Sequence, residues 1–113
     1  MADHIKLHAA KGTYSIRGAG AVLGESSNVI ELIEGAMAPV LYVPRADLAM
    51  AFFEKTDTTS HCPHKGDASY FTFEAKSGPI KDAAWSYETP NAGLERIAGH
   101  LAFYADKVTV EAV

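Results

Sequence analysis

The sequence is poor in cysteine and tryptophan, with one of each in 113 residues. A lone cysteine, Cys62, excludes any internal disulfide and fits a reducing compartment. Long apolar runs are missing too. The longest, "APVLYV" and "LAMAFF", fall far short of the roughly 20 residues that a membrane-crossing helix needs. The opening "MADHIKLHAAKG" holds no apolar stretch of signal-peptide type. A cytoplasmic protein with no membrane partner is expected. Clustered basic charge is also absent. Ten Lys and Arg are scattered singly among fourteen acidic residues, and the formal net charge is -4, which argues against a nucleic-acid partner. No repeat, low-complexity tract or linker divides the chain, so one domain over 1–113 is expected. Its radius should be about 13 Å, and it should bury enough surface to fold without staples.

What is present is mostly strand pattern. "KGTYSIRG" alternates, with Tyr14 and Ile16 on one face and Ser15 and Arg17 on the other, as in a half-buried strand. "GAGAVLGESS" supplies glycines for a turn or bulge. Gly18, Gly20 and Gly24 miss the dinucleotide-binding spacing by one residue, and no helix pattern follows them. "NVIELIEG" and "PVLYVP" read as strands, the second bounded by prolines as at a sheet edge. "TTSHC" and "ASYFTF" flank the cysteine, and residues 68–87 read as a hairpin turning at Lys76–Gly78. "HLAFY" and "VTVEAV" read as a last hairpin. Two short helices are expected. One, at about 47–54, is capped by Asp47 with Leu48, Ala51 and Phe52 facing the core. The other, at about 91–98, is capped by Asn91 with Leu94, Ile97 and Ala98 inward. The sum is a mainly β class: about eight mostly antiparallel strands in a tent-like or barrel-like fold with two helices at its margin.

Chemistry concentrates in "TTSHCPHKGDASYFTF", residues 58–73. A metal reading is weak. Structural zinc wants four ligands, and the side chains of His61 and Cys62 point to opposite faces of extended chain. Only Cys62 and His64, helped by His100 or a distant carboxylate, would make a set, so no metal and no cofactor are expected. A nucleophile reading is open. Lys65, His61 and His64 are near enough in sequence to lower the thiol pKa. Pro63 and Gly66 shape a tight turn whose amides would suit an anion. Against it stands the commonest state of a lone cysteine, inert packing.

Other residues carry paired readings. Trp85 and Tyr87 are two apart and share a strand face, either as a ligand floor or as core. Arg45 follows Pro44 and would hold a carboxylate or phosphate, or else a local salt bridge. Asp67, Glu54 and Asp57 are acid or base partners or solvated charges. His100 and Tyr104 read as structural. Tyr70 and Thr72 alternate with Phe71 and Phe73, so one of those two faces should be buried.

"YVPRADL", "TSHCPHKGDASYF", "AAWSYETP" and "IAGHLAFYADKVTVE" occur in an order that resembles a small bacterial family, domain-of-unknown-function family 427. The resemblance covers roughly 12–111 and rests most on Thr-x-x-Cys-Pro-x-Lys-Gly followed by a tyrosine. It implies a mainly antiparallel β fold, related by fold-level analogy to zinc-bearing tent-like folds. The matched positions are Pro44, Arg45, Asp47, Cys62, Pro63, Lys65, Gly66, Tyr70, Trp85, Tyr87, Phe103 and Tyr104. His64 stands where the family is expected to carry an aromatic, which would alter the polarity of a pocket built there. The nucleotidyltransferase-like label attached to the family does not fit these residues, which contain no Asp-x-Asp pair and no Walker loop.

The functional expectation is a small-molecule site for an anionic or carbonyl group at the Cys62–Gly66 loop. Cys62 and Lys65 are its candidate catalytic residues. Arg45, Lys65, Gly66, Tyr70, Trp85 and Tyr87 are its candidate ligand-binding residues. The alternatives are a non-catalytic binding module, in which Cys62 is replaceable, and a structural homodimer joined through "VTVEAV".

Overall fold

Period-two alternation shapes most of this chain, and strands follow from it. The computed structural model describes residues 4–113. In chain order they form β1 (Ile5–Ala9), β2 (Tyr14–Gly18), β3 (Ala21–Ser26), β4 (Ile30–Glu34), β5 (Val40–Tyr42), β6 (Phe53–Cys62), β7 (Gly66–Ala75), β8 (Gly78–Tyr87), β9 (Ala102–Phe103) and β10 (Thr109–Ala112). All pairings are antiparallel, in three sheets ordered β1-β4-β5, β10-β2-β3 and β6-β7-β8-β9.

The third sheet organises the rest, because its inner strands β7 and β8 send apolar side chains to both faces. On β7, Phe71 and Phe73 join a core with Ile16 and Leu23 of the second sheet, and with Phe53, Ala84, Leu101 and Val108. Ala68, one step out of phase, joins a second core with Ile5, Leu32 and Tyr42 of the first sheet, and with Tyr87, Leu94 and Ile97. Successive strand residues point to opposite faces, so one strand feeds two cores. Phe71, Thr72 and Phe73 are all buried. The expectation that a single face of this strand is covered is therefore corrected.

The glycine-rich segment holds both a turn and a strand. Ala19 (φ 48°) and Gly20 (φ 78°) make a two-residue connection between β2 and β3, the left-handed geometry that suits strand twist. Gly24 lies within β3 and forms a bridge to Leu48. A Cβ on it would sit 2.2 Å from the Asp47 carbonyl oxygen.

The two expected helices are corrected. The described residues carry only short 3-10 turns at Arg45–Asp47, Met50–Phe52 and Glu95–Ile97, and β6 already begins at Phe53. Neither presumed cap serves a helix. The Asp47 carboxylate accepts from Ser26 Oγ at 2.6 Å, and Asn91 serves the cysteine turn. Of the stripe, Leu48 is buried, whereas Phe52 is 44% exposed. In the other stripe Leu94 and Ile97 are buried but Ala98 is exposed. The last hairpin is corrected as well. β9 pairs with β8 and β10 with β2, so "HLAFY" and "VTVEAV" belong to different sheets. β1 and β3 bring the count among the described residues to ten strands against the eight expected.

Candidate functional site: an aromatic recess beside the cysteine turn

β6 and β7 end their pairing at Cys62 and Gly66, and residues 63–65 make the turn. The Lys65 amide donates to the Cys62 carbonyl at 3.2 Å. Gly66 lies at φ 111°, a region that side-chain-bearing residues rarely adopt. Asn91 pins the turn from outside. Its backbone N–H donates to the Lys65 carbonyl at 2.9 Å, and its side-chain Nδ2 donates to the Pro63 carbonyl at 3.0 Å. Asn91→Ala should therefore cost about 1 kcal/mol, read as a lowered midpoint in urea denaturation with an unchanged slope.

Held this way, Lys65 reaches across to the first sheet. Its Nζ donates to Glu34 Oε1 at 2.5 Å, with the side chains only 14% and 19% exposed. His4 Nε2 approaches Glu34 Oε2 at 3.4 Å. The Lys65 hydrogen bond lowers the Glu34 pKa, burial opposes it, and the Lys65 and His4 charges add to the lowering.

Between these sheets lies a cavity of about 280 Å³, with Glu34 and Lys65 among its lining residues. Its walls follow from register. Tyr70 and Trp85 are cross-strand partners, and Tyr87 is two residues further along the same face. Tyr104, just past β9, sets its ring 4.7 Å from the Trp85 ring. Tyr42 stands edge-on to the indole at 6.5 Å. Leu32 and Val40 complete the first-sheet wall, and Met37 and Ala38 the rim.

The polar tips in this recess are largely satisfied internally. Trp85 Nε1 donates to the Tyr42 hydroxyl at 3.3 Å, and the Tyr70 hydroxyl pairs with Ser60 at 2.8 Å. Burial is the main reason that the Tyr42 phenol is pushed up from 10.0 to about 12. Burial raises Tyr87 as well, and burial first, then the neighbouring Tyr70 hydroxyl, raises Tyr104. A phenol whose folded pKa exceeds its unfolded value contributes stability below the unfolded pKa and loses it as pH rises through the folded one. For Tyr42 the window runs from about pH 10 to 12, and two units are worth about 3 kcal/mol. Denaturation midpoints should fall across that window in the wild type, and less steeply in Tyr42→Phe.

Four sequence-predicted residues, Lys65, Tyr70, Trp85 and Tyr87, meet in this recess. The others lie elsewhere. Arg45 forms an ion pair with Glu88, and its guanidinium stacks over Phe71 at 5.0 Å. Gly66 shapes the turn without lining the cavity. Cys62 is half-buried and packs against the second core. His61 pairs with Asp67 at 2.7 Å on the solvent side, and the His64 ring meets His4 edge-on at 4.7 Å. Among the described residues no three His, Cys, Asp or Glu side chains converge as a metal site. Tyr42, Glu34, Asn91 and the cavity-facing position of Tyr104 were not foreseen. The only signal for them is phase, since Leu32 and Glu34, like Val40 and Tyr42, are two apart on their strands.

The profile of a protein family described as a domain of unknown function, DUF427, matches residues 6–113. The chain belongs to this family. The DUF427 match takes in every residue lining the recess and the whole cysteine turn. No curated protein matches the chain. In this DUF427 member, Cys62-Pro63-His64-Lys65-Gly66 is the device that carries Lys65 to Glu34, and the ring of His64 stands apart from the cavity lining.

Proposed function

We propose that this protein binds a small molecule in the aromatic recess, with Lys65 facing a carbonyl or anionic group of the ligand. One observation carries this: five aromatic residues and one ion pair from separate sheets converge on a single concave space. Ligand pockets combine apolar walls with a few placed polar groups in this way. Tyrosine and tryptophan offer large contact area with a polar edge.

Between an enzyme built on Cys62 and a non-catalytic module, the packing favours the module. Cys62 contacts the second core and is not among the cavity-lining residues. A thermal-shift screen of metabolites on wild type and Cys62→Ala in parallel tests this. The same ligand should stabilise both proteins. Turnover present only in the wild type would establish Cys62 as a nucleophile instead.

A homodimer is a second reading, favoured by the position of β10. Among the described residues it pairs with β2 alone and stands at the edge of its sheet, and an open edge can template pairing with another copy. Size-exclusion mass distinguishes the two states: twice the 12.1 kDa chain mass for the dimer, and the chain mass itself against it.

A further inference from the structure

The ion pair at the recess restricts the class of ligand. Glu34 and Lys65 both line the cavity and neutralise each other at 2.5 Å. The pair is therefore a donor beside an acceptor whose two charges cancel. Neither group is used up. An ammonium has three donors and a carboxylate about four acceptor positions. Among the described residues Lys65 donates once, to Glu34, and Glu34 meets Lys65 and His4. The Tyr42 and Tyr70 hydroxyls are already engaged, with Trp85 and Ser60. The Tyr87 and Tyr104 hydroxyls line the cavity too, but Lys65 and Glu34 are its charged donor and acceptor and lie side by side.

Three ligand chemistries face this arrangement. A carboxylate would gain Lys65 but bring a second negative charge against Glu34. An ammonium would gain Glu34 and meet Lys65. Each leaves an uncompensated charge beside aromatic walls, where desolvation is costly. A zwitterion could use the same spare positions, but it would have to carry both of its charges out of water to reach them. An uncharged edge with a carbonyl next to an N–H meets no such obstacle. The carbonyl accepts from Lys65, the N–H donates to Glu34, and the ion pair stays intact.

Resting on the small-molecule reading above, we infer that the recess takes a neutral planar ring bearing a carbonyl beside an N–H: a cyclic amide, imide or urea. The ring lies among Tyr70, Trp85 and Tyr104, and its amide edge meets Lys65 and Glu34. Of the carbonyl and anionic groups expected at Lys65, the carbonyl is the one this geometry selects.

The test follows the Trp85 indole N–H of the full chain in 1H–15N spectra, at pH 7, during titration with 2-pyridone, benzyl alcohol, benzoate and benzylammonium. The expected order puts 2-pyridone about ten-fold tighter than each of the other three. Charge variants should move the preference predictably. Glu34→Gln leaves Lys65 unpaired and should shift selectivity towards benzoate. Lys65→Met frees Glu34 and should shift it towards benzylammonium. Benzoate or benzylammonium matching 2-pyridone on the wild type would overturn the neutral-ring inference and leave the recess as a ligand site. Benzyl alcohol matching it would show that the ion pair does not read the amide edge, with the same consequence. An indole resonance unmoved by all four probes would overturn the inference and the small-molecule reading together.

Discussion

Trp85→Ala is expected to weaken binding of a ring ligand by about 30-fold or more, the cost of removing a central aromatic anchor. The indole stands between Tyr42 and Tyr104 and opposite Tyr70 across the β7–β8 pair. Its loss also leaves the Tyr42 hydroxyl without its Nε1 donor. Trp85→Phe keeps a ring in place and should retain most of the affinity. Isothermal titration is the appropriate readout, because the substitution removes the chain's single tryptophan and with it the indole fluorescence. Far-ultraviolet circular dichroism on both variants separates lost affinity from lost fold. Equal affinity in Trp85→Ala and wild type would place the ligand elsewhere.

Gly24→Ala is expected to cost about 3 kcal/mol of stability, at the upper end for overpacking. The added Cβ would meet the Asp47 carbonyl oxygen at 2.2 Å and Leu48 Cα at 3.2 Å. Both are main-chain atoms, so no rotamer change relieves the clash. Relief requires β3 to part from the segment after Arg45, breaking the Gly24–Leu48 bridge. For a chain of this length the melting temperature should fall by roughly 10–20 °C. Gly12→Ala is the control. Gly12 has φ 86° but nothing within 4 Å of an added Cβ, so it carries torsional strain alone and should lose roughly 1 kcal/mol. Comparable losses at both positions would mean that β3 accommodates the methyl group by moving.

These two positions also mark what the sequence discloses. Trp85 and Tyr87 could be placed on one face from their spacing, because strand alternation is a local property. The β7–β8 hairpin was legible for the same reason. Gly24 was hidden. Its role is a close approach between residues 24 and 47, and a glycine-rich stretch reads as a turn whether or not a strand runs through it. Leu48, Ala51 and Phe52 satisfy helical spacing, yet the segment between Pro44 and Phe53 is too short to repay helix nucleation. Leu48 is instead drawn into an extended bridge with Gly24.

The recess followed the same division. Cys62 attracted attention because chemically versatile residues crowd around it, but the side chain that reaches the cavity from that turn is Lys65. Its partner Glu34 is 31 residues away in sequence, and its brace Asn91 lies beyond the next two strands. Such pairings depend on how sheets stack, and no local period encodes them. Asn91 looked like a helix cap because the same short amide that caps a helix also satisfies a loop carbonyl.

The most direct test of the recess as the ligand site is chemical-shift mapping of the full chain with a mixture of ring-shaped fragments, neutral, anionic and cationic. Binding in the recess predicts the largest shifts at the Trp85 indole and at Lys65, Tyr70 and Tyr104, with the open groove of Glu54, Lys55, Thr72 and Lys81 unaffected. Shifts confined to that groove, or none at all, would contradict it.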